Sequence, residues 1–299
     1  MEYNQITEFN AGHALTKFFI YVQIFLPILM TILAIYLWQD VTGIDIFVFF
    51  LMYFLTAIGI TIGYHRYFTH RAFKCKPWFQ VLLAILGGMA GQGTLLDWVA
   101  THRHHHQQTD QIGDPHSPNT NLTSPTMSKF RAFWHAHLGW ILQNVPQSYN
   151  QYAFDWLNNP LTFKLSRWYL LWQALGLLLP GIITGLWTQS VNGLFMGILW
   201  GGFVRMCVVQ HLTYSINSFC HMMGKRTYNT PDLSRNNWVF GLFSFGEGWH
   251  NNHHAFPTSV RQGFTWWQID ISYYIIIFLS KLGIVWDIKL PKALTENAK

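Results

Sequence analysis

Histidine is the residue type whose number and spacing point to chemistry in this chain. Fifteen histidines occur in 299 residues, and most of them fall into three short motifs. The first motif contains His65 and His70, and the other two are H-x-x-H-H motifs at 102–106 and 250–254. Neutral imidazole is a good ligand for first-row transition metals. The motifs therefore predict a metal site with many histidine ligands.

Helix geometry indicates how these motifs can serve two neighbouring metals. Residues three and four apart share one face of an α-helix, whereas adjacent residues diverge by about 100°. The motifs at 102–106 and 250–254 therefore direct three rings to one side but separate the last two. On an α-helix His65 and His70 diverge by about 140°, so they too are expected to bind different metals.

A further pair, Asn217 and His221, lies four residues apart beyond the last long apolar stretch. With this pair, the candidates for the metal site are His65, His70, His102, His105, His106, Asn217, His221, His250, His253 and His254. The other histidines fill a spacer position or have no motif partner, and we assign them no ligand role: His13, His104, His116, His135, His137 and His211.

The composition is that of a membrane protein. Charged residues make up 11% of the chain and hydrophobic residues 51%, whereas soluble proteins are about 25% charged. The net charge of +6 comes from scattered basic residues, so an anionic membrane surface is a more suitable partner than nucleic acid. The three cysteines form no C-x-x-C pair, which argues against a disulfide framework or a thiolate metal site.

Four apolar stretches are long enough to cross a bilayer, which takes about 20 residues. They occupy residues 18–38, 44–62, 168–187 and 193–212. The connection within each pair has no Lys or Arg, whereas the other flanks are basic, so the positive-inside rule predicts that both termini and the histidines are cytoplasmic. We expect a single domain, residues 1–299, with an all-α integral membrane fold: two transmembrane hairpins and a cytoplasmic helical cap that holds the histidines.

Two other apolar runs are not expected to cross the membrane. The run at 78–96 is interrupted by glycines and a glutamine. Crossing there would place His70 and His102 on opposite sides of the membrane, although both belong to the proposed metal site. We therefore predict a shallow or re-entrant segment. The run at 271–286 is short and contains Lys281, so we expect it at the membrane interface.

The motifs resemble those of the membrane fatty acyl desaturases of bacterial or cyanobacterial type, enzymes that introduce a cis double bond, often at carbon 9. The matching segments are G-Y-H-R-Y-F-T-H-R-A-F at 63–73, W-V-A-T-H-R-H-H-H at 98–106, D-P-H-S at 114–117, N-S-F-C-H at 217–221 and G-E-G-W-H-N-N-H-H-A-F-P at 246–257. The resemblance extends over about residues 44–265 and implies a centre of two iron ions that uses O2.

The resemblance also implies how the histidines divide between the two irons. One iron is expected on His65, His106, His221 and His254, with Asn217 holding a water molecule. The other iron is expected on His70, His102, His105, His250 and His253.

Such a centre suits the chemistry, because removing hydrogen from an unactivated methylene requires a strong oxidant that two irons can generate from O2 and two electrons. Ligation by histidine alone leaves the charge of the irons uncompensated, so nearby carboxylates are candidates to orient the rings. We select Asp114 and Glu247 for this role, and Asp97 and Asp110 are further candidates. A solvated carboxylate or a helix cap is an equally open interpretation of each.

The substrate is expected to be a saturated long acyl chain carried by CoA, by a carrier protein or by a lipid. Animal acyl-CoA enzymes of this type have an arginine where this chain has Ala100. Acyl-CoA nevertheless remains narrowly preferred, because Arg66, Arg71, Lys74 and Lys76 can supply positive charge at the mouth of the site.

The electron donor is expected to be a separate ferredoxin, rubredoxin or small b-type cytochrome, because the spans and motifs use most of the chain. A hydroxylase or acetylenase with the same metal centre is the first alternative function, since a small shift of the substrate carbon changes the product. A non-redox metal-binding or transport protein is the second. It would require polar residues at mid-membrane, of which the four stretches have almost none.

Overall fold

The computed structural model describes residues 2–119, 128–143 and 145–291, with side chains from residue 16 onward. The α-helices, in chain order, are α1 (Glu2–Tyr36), α2 (Gly43–Ile58), α3 (Pro77–Met89), α4 (Leu95–Gln108), α5 (Lys129–Trp134), α6 (Trp140–Gln143), α7 (Tyr149–Tyr152), α8 (Phe154–Leu157), α9 (Pro160–Arg167), α10 (Tyr169–Thr188), α11 (Val191–Gly197), α12 (Arg205–Met222), α13 (Trp238–Phe243), α14 (His250–Ala255) and α15 (Ile271–Lys281). A 3-10 turn at Trp38–Asp40 and three π-helical segments interrupt this order, the latter at Gly59–Thr69, His135–Gly139 and Ile198–Val204. One small antiparallel sheet joins β1 (Lys74–Cys75) to β2 (Val285–Trp286).

Four helices are long and apolar enough to cross a membrane. They lie at Thr16–Tyr36, Gly43–Thr69, Tyr169–Thr188 and Val191–Met222. Each overlaps a span predicted from the sequence. The second and fourth extend beyond the predicted ends at 62 and 212, because helical turns continue from the apolar layer up to the histidines.

Local signals close both hairpins at the ends remote from the histidines. Thr42 caps α2, and its backbone N–H donates to Oδ2 of Asp45 at 2.9 Å in a capping box. α10 ends at Gln189 in the left-handed conformation, with φ 51°. Oγ of Ser190 then accepts from the backbone N–H of Gly193 at 2.9 Å and begins the next helix. Because α2 and α12 both run from these turns toward the histidines, the histidine-bearing ends lie on one side.

The segment between the first two histidine motifs enters the apolar layer and returns. α3 has 13 residues, which at 1.5 Å per residue is about 20 Å and too short to cross. α4 then brings the second motif back, so that the ring centroids of His70 and His102 lie 5.3 Å apart. This path agrees with the re-entrant segment predicted for residues 78–96.

A buried arginine binds the C-terminal end of α3. Arg205, at the start of α12, is fully buried and donates to the backbone carbonyls of Met89 at 2.9 Å and Gly176 at 2.5 Å. The side chain of Gln210 donates to the carbonyl of Gly91 at 2.5 Å. These few polar groups satisfy carbonyls that no regular helix serves, in an apolar layer where an unpaired carbonyl is costly.

The π-helical segment after α2 contacts α3 backbone to backbone at Gly59. A Cβ atom at Gly59 would lie 2.3 Å from the backbone nitrogen of Gly87 and 2.3 Å from the carbonyl carbon of Leu86. Backbone atoms of a packed helix cannot move aside locally, so Gly59→Ala is expected to lower the free energy of unfolding by about 1–3 kcal/mol. Thermal unfolding in a single detergent measures the change.

Gly43→Ala is the matched control for this substitution. A Cβ atom at Gly43 meets nothing within 4 Å, so the unfolding temperature should equal or slightly exceed that of the parent. An unfolding temperature of the Gly59→Ala protein equal to that of the parent would contradict the close contact.

Candidate metal centre

The nine candidate histidines converge from the end of the π-helical segment Gly59–Thr69, from the last turns of α4 and α12, and from α14. Their ring nitrogens form two groups, and within each group these atoms lie within 4.8 Å of one another. The five-histidine group contains His65, His70, His102, His106 and His253. The four-histidine group contains His105, His221, His250 and His254.

The five-histidine group centres on His253. Its Nε2 atom lies 3.1 Å from Nε2 of His65 and 2.9 Å from Nε2 of His106. Nε2 of His106 in turn lies 3.1 Å from Nε2 of His102. Nε2 of His70 is buried without a hydrogen-bond partner in the described structure. Ring nitrogens gathered in this way have more lone pairs than protons to share, which suits a bound cation.

The four-histidine group centres on His250. Its Nε2 atom lies 3.1 Å from Nε2 of His221 and 3.1 Å from Nε2 of His254. The ring of His105 lies beside them, with its centroid 5.2 Å from that of His221. Nε2 of His105 is buried and has no hydrogen-bond partner among the described residues.

His65 and His70 belong to one group, contrary to the expectation from α-helical geometry. The segment Gly59–Thr69 is a π-helix, in which hydrogen bonds join residues five apart. The backbone N–H of His70 accordingly donates to the carbonyl of His65 at 3.1 Å. Residues five apart are therefore stacked on one face, and the two ring centroids lie 4.7 Å apart.

The division of ligands implied by the resemblance also needs correction. Adjacent histidines do separate, since His105 and His106 fall into different groups, as do His253 and His254. However, His65 and His106 lie in the five-histidine group rather than with His221. His105 and His250 lie in the four-histidine group, the reverse of the implied division. The π-helical turn places His65 beside His70. In each H-x-x-H-H motif the first and last histidines share a group and the middle one joins the other group, which spacing alone does not reveal.

Four carboxylates contact Nδ1 atoms of these histidines. Asp114 accepts a hydrogen bond from His105 at 2.9 Å, Asp110 from His221 at 3.2 Å and Asp232 from His254 at 3.2 Å. Glu247 forms an ion-pair contact with Nδ1 of His65. Each contact holds the ring proton on Nδ1 and leaves the Nε2 lone pair directed into the group. Asp114 and Glu247 therefore lie against histidines of the two groups, and the orienting role stays a prediction.

The two other carboxylates considered for this role, Asp110 and Asp97, make different contacts. Asp110 contacts His221, whereas the carboxylate of Asp97 accepts from the hydroxyls of Tyr149 and of Thr94, the N-cap residue of α4. Asp232 was missed by the sequence analysis, because it lies in a loop far from any motif. No signal in the sequence marks it.

Burial and mutual repulsion favour the neutral, metal-binding form of most of these rings. His221 is an exception, because burial is outweighed by its contact with Asp110, which raises its pKa. Burial lowers the pKa of His102 and His106 well below the ordinary histidine value, and neighbouring rings lower it further. Burial alone would raise the pKa of Asp110 and Asp232, but their histidine contacts and hydrogen bonds outweigh it and hold each pKa below its usual range. Burial raises the pKa of Asp114, and its contacts with His116 and with backbone N–H donors offset only part of this rise.

The two asparagines inside the third motif fasten α14. Nδ2 of Asn252 donates to the carbonyl of Gln262 at 2.7 Å, and Oδ1 of Asn252 accepts from Asn236 at 2.7 Å. Oδ1 of Asn251 accepts from two backbone N–H groups of the preceding loop, including that of Thr227 at 2.7 Å. Both side chains are buried and doubly bonded, so they hold the backbone that carries the three rings.

Two of the histidines without an assigned ligand role, His104 and His116, differ in how close they lie to the two groups. His104 turns away from both groups, where its Nδ1 contacts Oε1 of Gln147 at 2.7 Å. His116 packs against His105, with ring centroids 4.2 Å apart, closer to the centre than its lack of a motif partner suggested. The others lie outside both groups or outside the described side chains: His135, His137 and His211 in the former case, His13 in the latter.

A sequence model described as "Fatty acid desaturase" matches residues 46–274. The chain belongs to the fatty acid desaturase family. It is 44% identical over 287 residues to "Hex-5-enoyl-[acyl-carrier protein] acetylenase" of Moorena producens, a match that covers 95% of this chain and 89% of that protein. It is 41% identical over 249 residues to "Delta-9 acyl-lipid desaturase 2" of Arabidopsis thaliana, covering 82% and 75%. It is 38% identical over 246 residues to "sn-1 stearoyl-lipid 9-desaturase" of a Synechocystis strain, covering 81% and 71%.

An apolar cleft of about 560 Å³, part of it open to the surroundings, leads to both histidine groups of the desaturase. His65, His102 and His250 line one end of it. Its walls come largely from apolar residues of α2 and α12, and Ala57 lies among them. Tyr53 lines the cleft twelve residues before His65 on the same continuous helix, on the order of 15 Å from it. The cleft is therefore mostly apolar and ends at the histidines.

Most of the basic residues that favoured acyl-CoA are already engaged in this desaturase. Arg66 is buried and forms salt bridges to Glu247 at 3.0 Å and to Asp270 at 3.1 Å. Nε of Arg71 donates to Asp155 at 2.8 Å, and Lys74 pairs with Asp287 at 3.0 Å. These charges are compensated within the chain, which removes most of the support for a phosphate-rich CoA head group.

Proposed function

We propose that this desaturase introduces a cis double bond at carbon 9 of a saturated long acyl chain carried by a membrane lipid, using two iron ions and O2. The observation that carries the proposal is the apolar cleft whose end is lined by His65 and His102 of the five-histidine group and by His250 of the four-histidine group. A methylene at that end lies beside both candidate metal positions.

The donor set of the two groups suits iron, because neutral imidazole is a good ligand for first-row transition metals. The five-histidine and four-histidine groups would each hold one iron. Asn217, beside His250 in the cleft, would hold a water molecule next to the four-histidine group.

When bound, the iron pair supplies the oxidant, made from O2 and two electrons, that removes hydrogen from two adjacent methylenes. The chain's own residues position and protect this reaction. The cleft aligns the acyl chain, and the ring of Trp98, stacked on His102 with centroids 5.0 Å apart, covers the metal-facing end and excludes water. The four carboxylates hold the Nδ1 protons and keep the rings in the orientation that binds metal.

Two findings support a lipid-linked substrate. Several similar proteins are named as acyl-lipid desaturases, and the basic residues expected to bind CoA are engaged in internal ion pairs. A carrier-protein thioester is the second candidate, because one relative is named for such a substrate. Electrons are proposed to come from a separate ferredoxin, rubredoxin or small b-type cytochrome.

The test is a side-by-side assay of the purified protein with O2, a donor and stearoyl groups on phospholipid, carrier protein and CoA. Mass spectrometry with double-bond mapping reads out the product. A cis double bond at carbon 9 of the phospholipid is expected, and no product without the donor protein. Modification of acyl-CoA alone would contradict the proposed head group, and absence of any dehydrogenated product would contradict the proposed function.

A second candidate product is an acetylene, because the chain is 44% identical to a protein named as an acetylenase. The same assay distinguishes the outcomes by mass. Desaturation removes two hydrogens from the acyl chain, acetylene formation from a saturated chain removes four, and hydroxylation adds one oxygen.

The length of the cleft is expected to limit acyl chain length. Ala57 lines the cleft between Tyr53 and His65, so a phenylalanine there would fill the space that the end of the chain requires. Ala57→Phe is expected to lower turnover of stearoyl substrate relative to a shorter chain by about 10-fold or more, since each methylene that loses its place costs about 1–3 kcal/mol. Competition between acyl chains of different length, analysed by mass spectrometry, measures the ratio.

Ile46→Phe is the matched control, because Ile46 lies on the outward face of the same helix and is exposed. It places the same phenylalanine side chain outside the cleft, so the preference for chain length should match that of the parent. An Ala57→Phe protein with the parental preference would show that the acyl chain lies elsewhere.

We further propose that the histidines face the cytoplasm, on the grounds of the basic residues that flank them. Single cysteines in the connections at 39–43 and 188–192 are expected to react with impermeant maleimide only from the external side. Background labelling should be low, because Cys75 and Cys220 are buried and Cys207 is half-buried. Reaction of either connection from the cytoplasm would contradict the orientation.

A further inference from the structure

The two histidine groups differ in the carboxylates behind them. In the four-histidine group, three of the four rings donate Nδ1–H to a carboxylate: His105 to Asp114, His221 to Asp110 and His254 to Asp232. Among the described residues, one ring of the five-histidine group has a carboxylate beside its Nδ1 atom, that of His65, which Glu247 contacts.

The carboxylates of the four-histidine group carry uncompensated negative charge. Asp110 also accepts from the backbone N–H of Leu233 at 2.6 Å and from Nδ2 of Asn119 at 2.8 Å. Asp114 likewise accepts only from N–H donors, as an ionised carboxylate does. In the described part of the chain, no Lys or Arg forms a salt bridge with these three carboxylates. Arg226 donates instead to the backbone carbonyl of Asp232 at 2.8 Å.

The carboxylate behind the five-histidine group is shared with a cation. Arg66 lies 3.0 Å from Glu247 and 3.1 Å from Asp270, and all three side chains are buried. This cluster has a net charge of −1, whereas the three aspartates of the other group together have −3. Negative charge in a buried site stabilises a metal ion of higher charge, and a carboxylate bonded to the far side of an imidazole makes that ring a stronger donor.

We propose that the two irons have different reduction potentials, and that the iron of the four-histidine group has the lower one. With iron at both positions, the five-histidine group would hold the ion that is reduced first, and the four-histidine group would hold the ion that is reduced second. The inference rests on the proposed function, because it requires iron at both positions. Asp232, Asp110 and Asp114 act as positioning residues that also set the potential of one iron.

Anaerobic potentiometric titration of the iron-loaded protein tests the inference, with an electrode and soluble mediators supplying the electrons. The electron paramagnetic resonance signal of the state with one ferrous and one ferric ion reports the separation between the two potentials. Asp232→Asn should raise the lower of the two potentials and so narrow the separation between them by at least 59 mV. A change of 59 mV corresponds to a tenfold smaller equilibrium constant for forming the state with one ferrous and one ferric ion. Tenfold is the low end of the effect expected when a carboxylate that supports a metal ligand is lost.

Glu247→Gln should act in the opposite sense, because it removes charge from the five-histidine group. It should raise the higher potential and widen the separation. Asp97→Asn, which removes a carboxylate from α4 that contacts none of these rings, should leave both potentials unchanged. If Asp232→Asn does not retain two irons, Asp110→Asn provides the same measurement on the same group.

A separation that is unchanged in the aspartate variant, or that moves in the same direction in both variants, overturns the inference. Acyl product is measured separately on the parent. Product formation without opposite shifts refutes the inference alone, and opposite shifts without any acyl product refute the proposed function alone.

Discussion

Alanine in place of His253 is expected to remove iron from the five-histidine group and to abolish product formation. Its Nε2 atom lies 3.1 Å from that of His65 and 2.9 Å from that of His106, so its loss opens the centre of the group. Loss of a residue that only supports a ligand costs about 10–100-fold in metal affinity or activity. Loss of the ligand itself should exceed that range. Alanine in place of any of the other eight histidines should remove iron from the group to which that histidine belongs and should likewise abolish product formation.

Metal analysis and product assay of the purified variants measure the effect, and His104→Ala is the matched control. His104 occupies the same motif as His105, yet its ring is turned toward Gln147 and away from both groups. It should retain both irons and most of the activity. Full iron content and activity in the His253→Ala protein would refute the ligand assignment.

Methionine in place of Arg205 is expected to destabilise the protein more than any other substitution outside the histidine groups that we consider. The variant keeps the volume of the side chain but leaves the carbonyls of Met89 and Gly176 without their donor. Each unsatisfied buried carbonyl costs about 1–3 kcal/mol, so we expect a loss of about 2–6 kcal/mol in the free energy of unfolding. Because these bonds hold the end of α3 just before α4, the second histidine motif should also lose its position.

Thermal unfolding and iron content, measured in the same detergent, test this expectation together. Arg131→Met is the matched control, because Arg131 is exposed on α5 and its loss should change neither quantity. An Arg205→Met protein with the parental unfolding temperature would show that α3 is held by packing alone.

Features that depend on neighbours along the chain could be predicted from the residues. The four spans follow from long apolar blocks, and each overlaps a helix of suitable length. The separation of His105 from His106, and of His253 from His254, follows from the 100° step of an α-helix. The re-entrant path of residues 78–96 follows from a simple requirement, that His70 and His102 must meet.

Features that depend on distant contacts could not be predicted. A π-helical turn replaces the α-helical one at Gly59–Thr69, so His65 and His70 join one group instead of two. Asp232 reaches His254 from a loop 22 residues earlier in the chain. Arg66 is paired internally with a carboxylate 204 residues away and is not free to bind a substrate head group.

The physical reason is the range of the interactions involved. Hydrophobic periodicity and helix geometry depend on residues a few positions apart, so they can be recognised in a single sequence. The hydrogen-bond register of a π-helix and the partner of a buried charge are selected by how separate helices pack. His105 illustrates both levels: its spacing marks it as a metal ligand, but its contacts with Asp114 and His221 are what assign it to the four-histidine group.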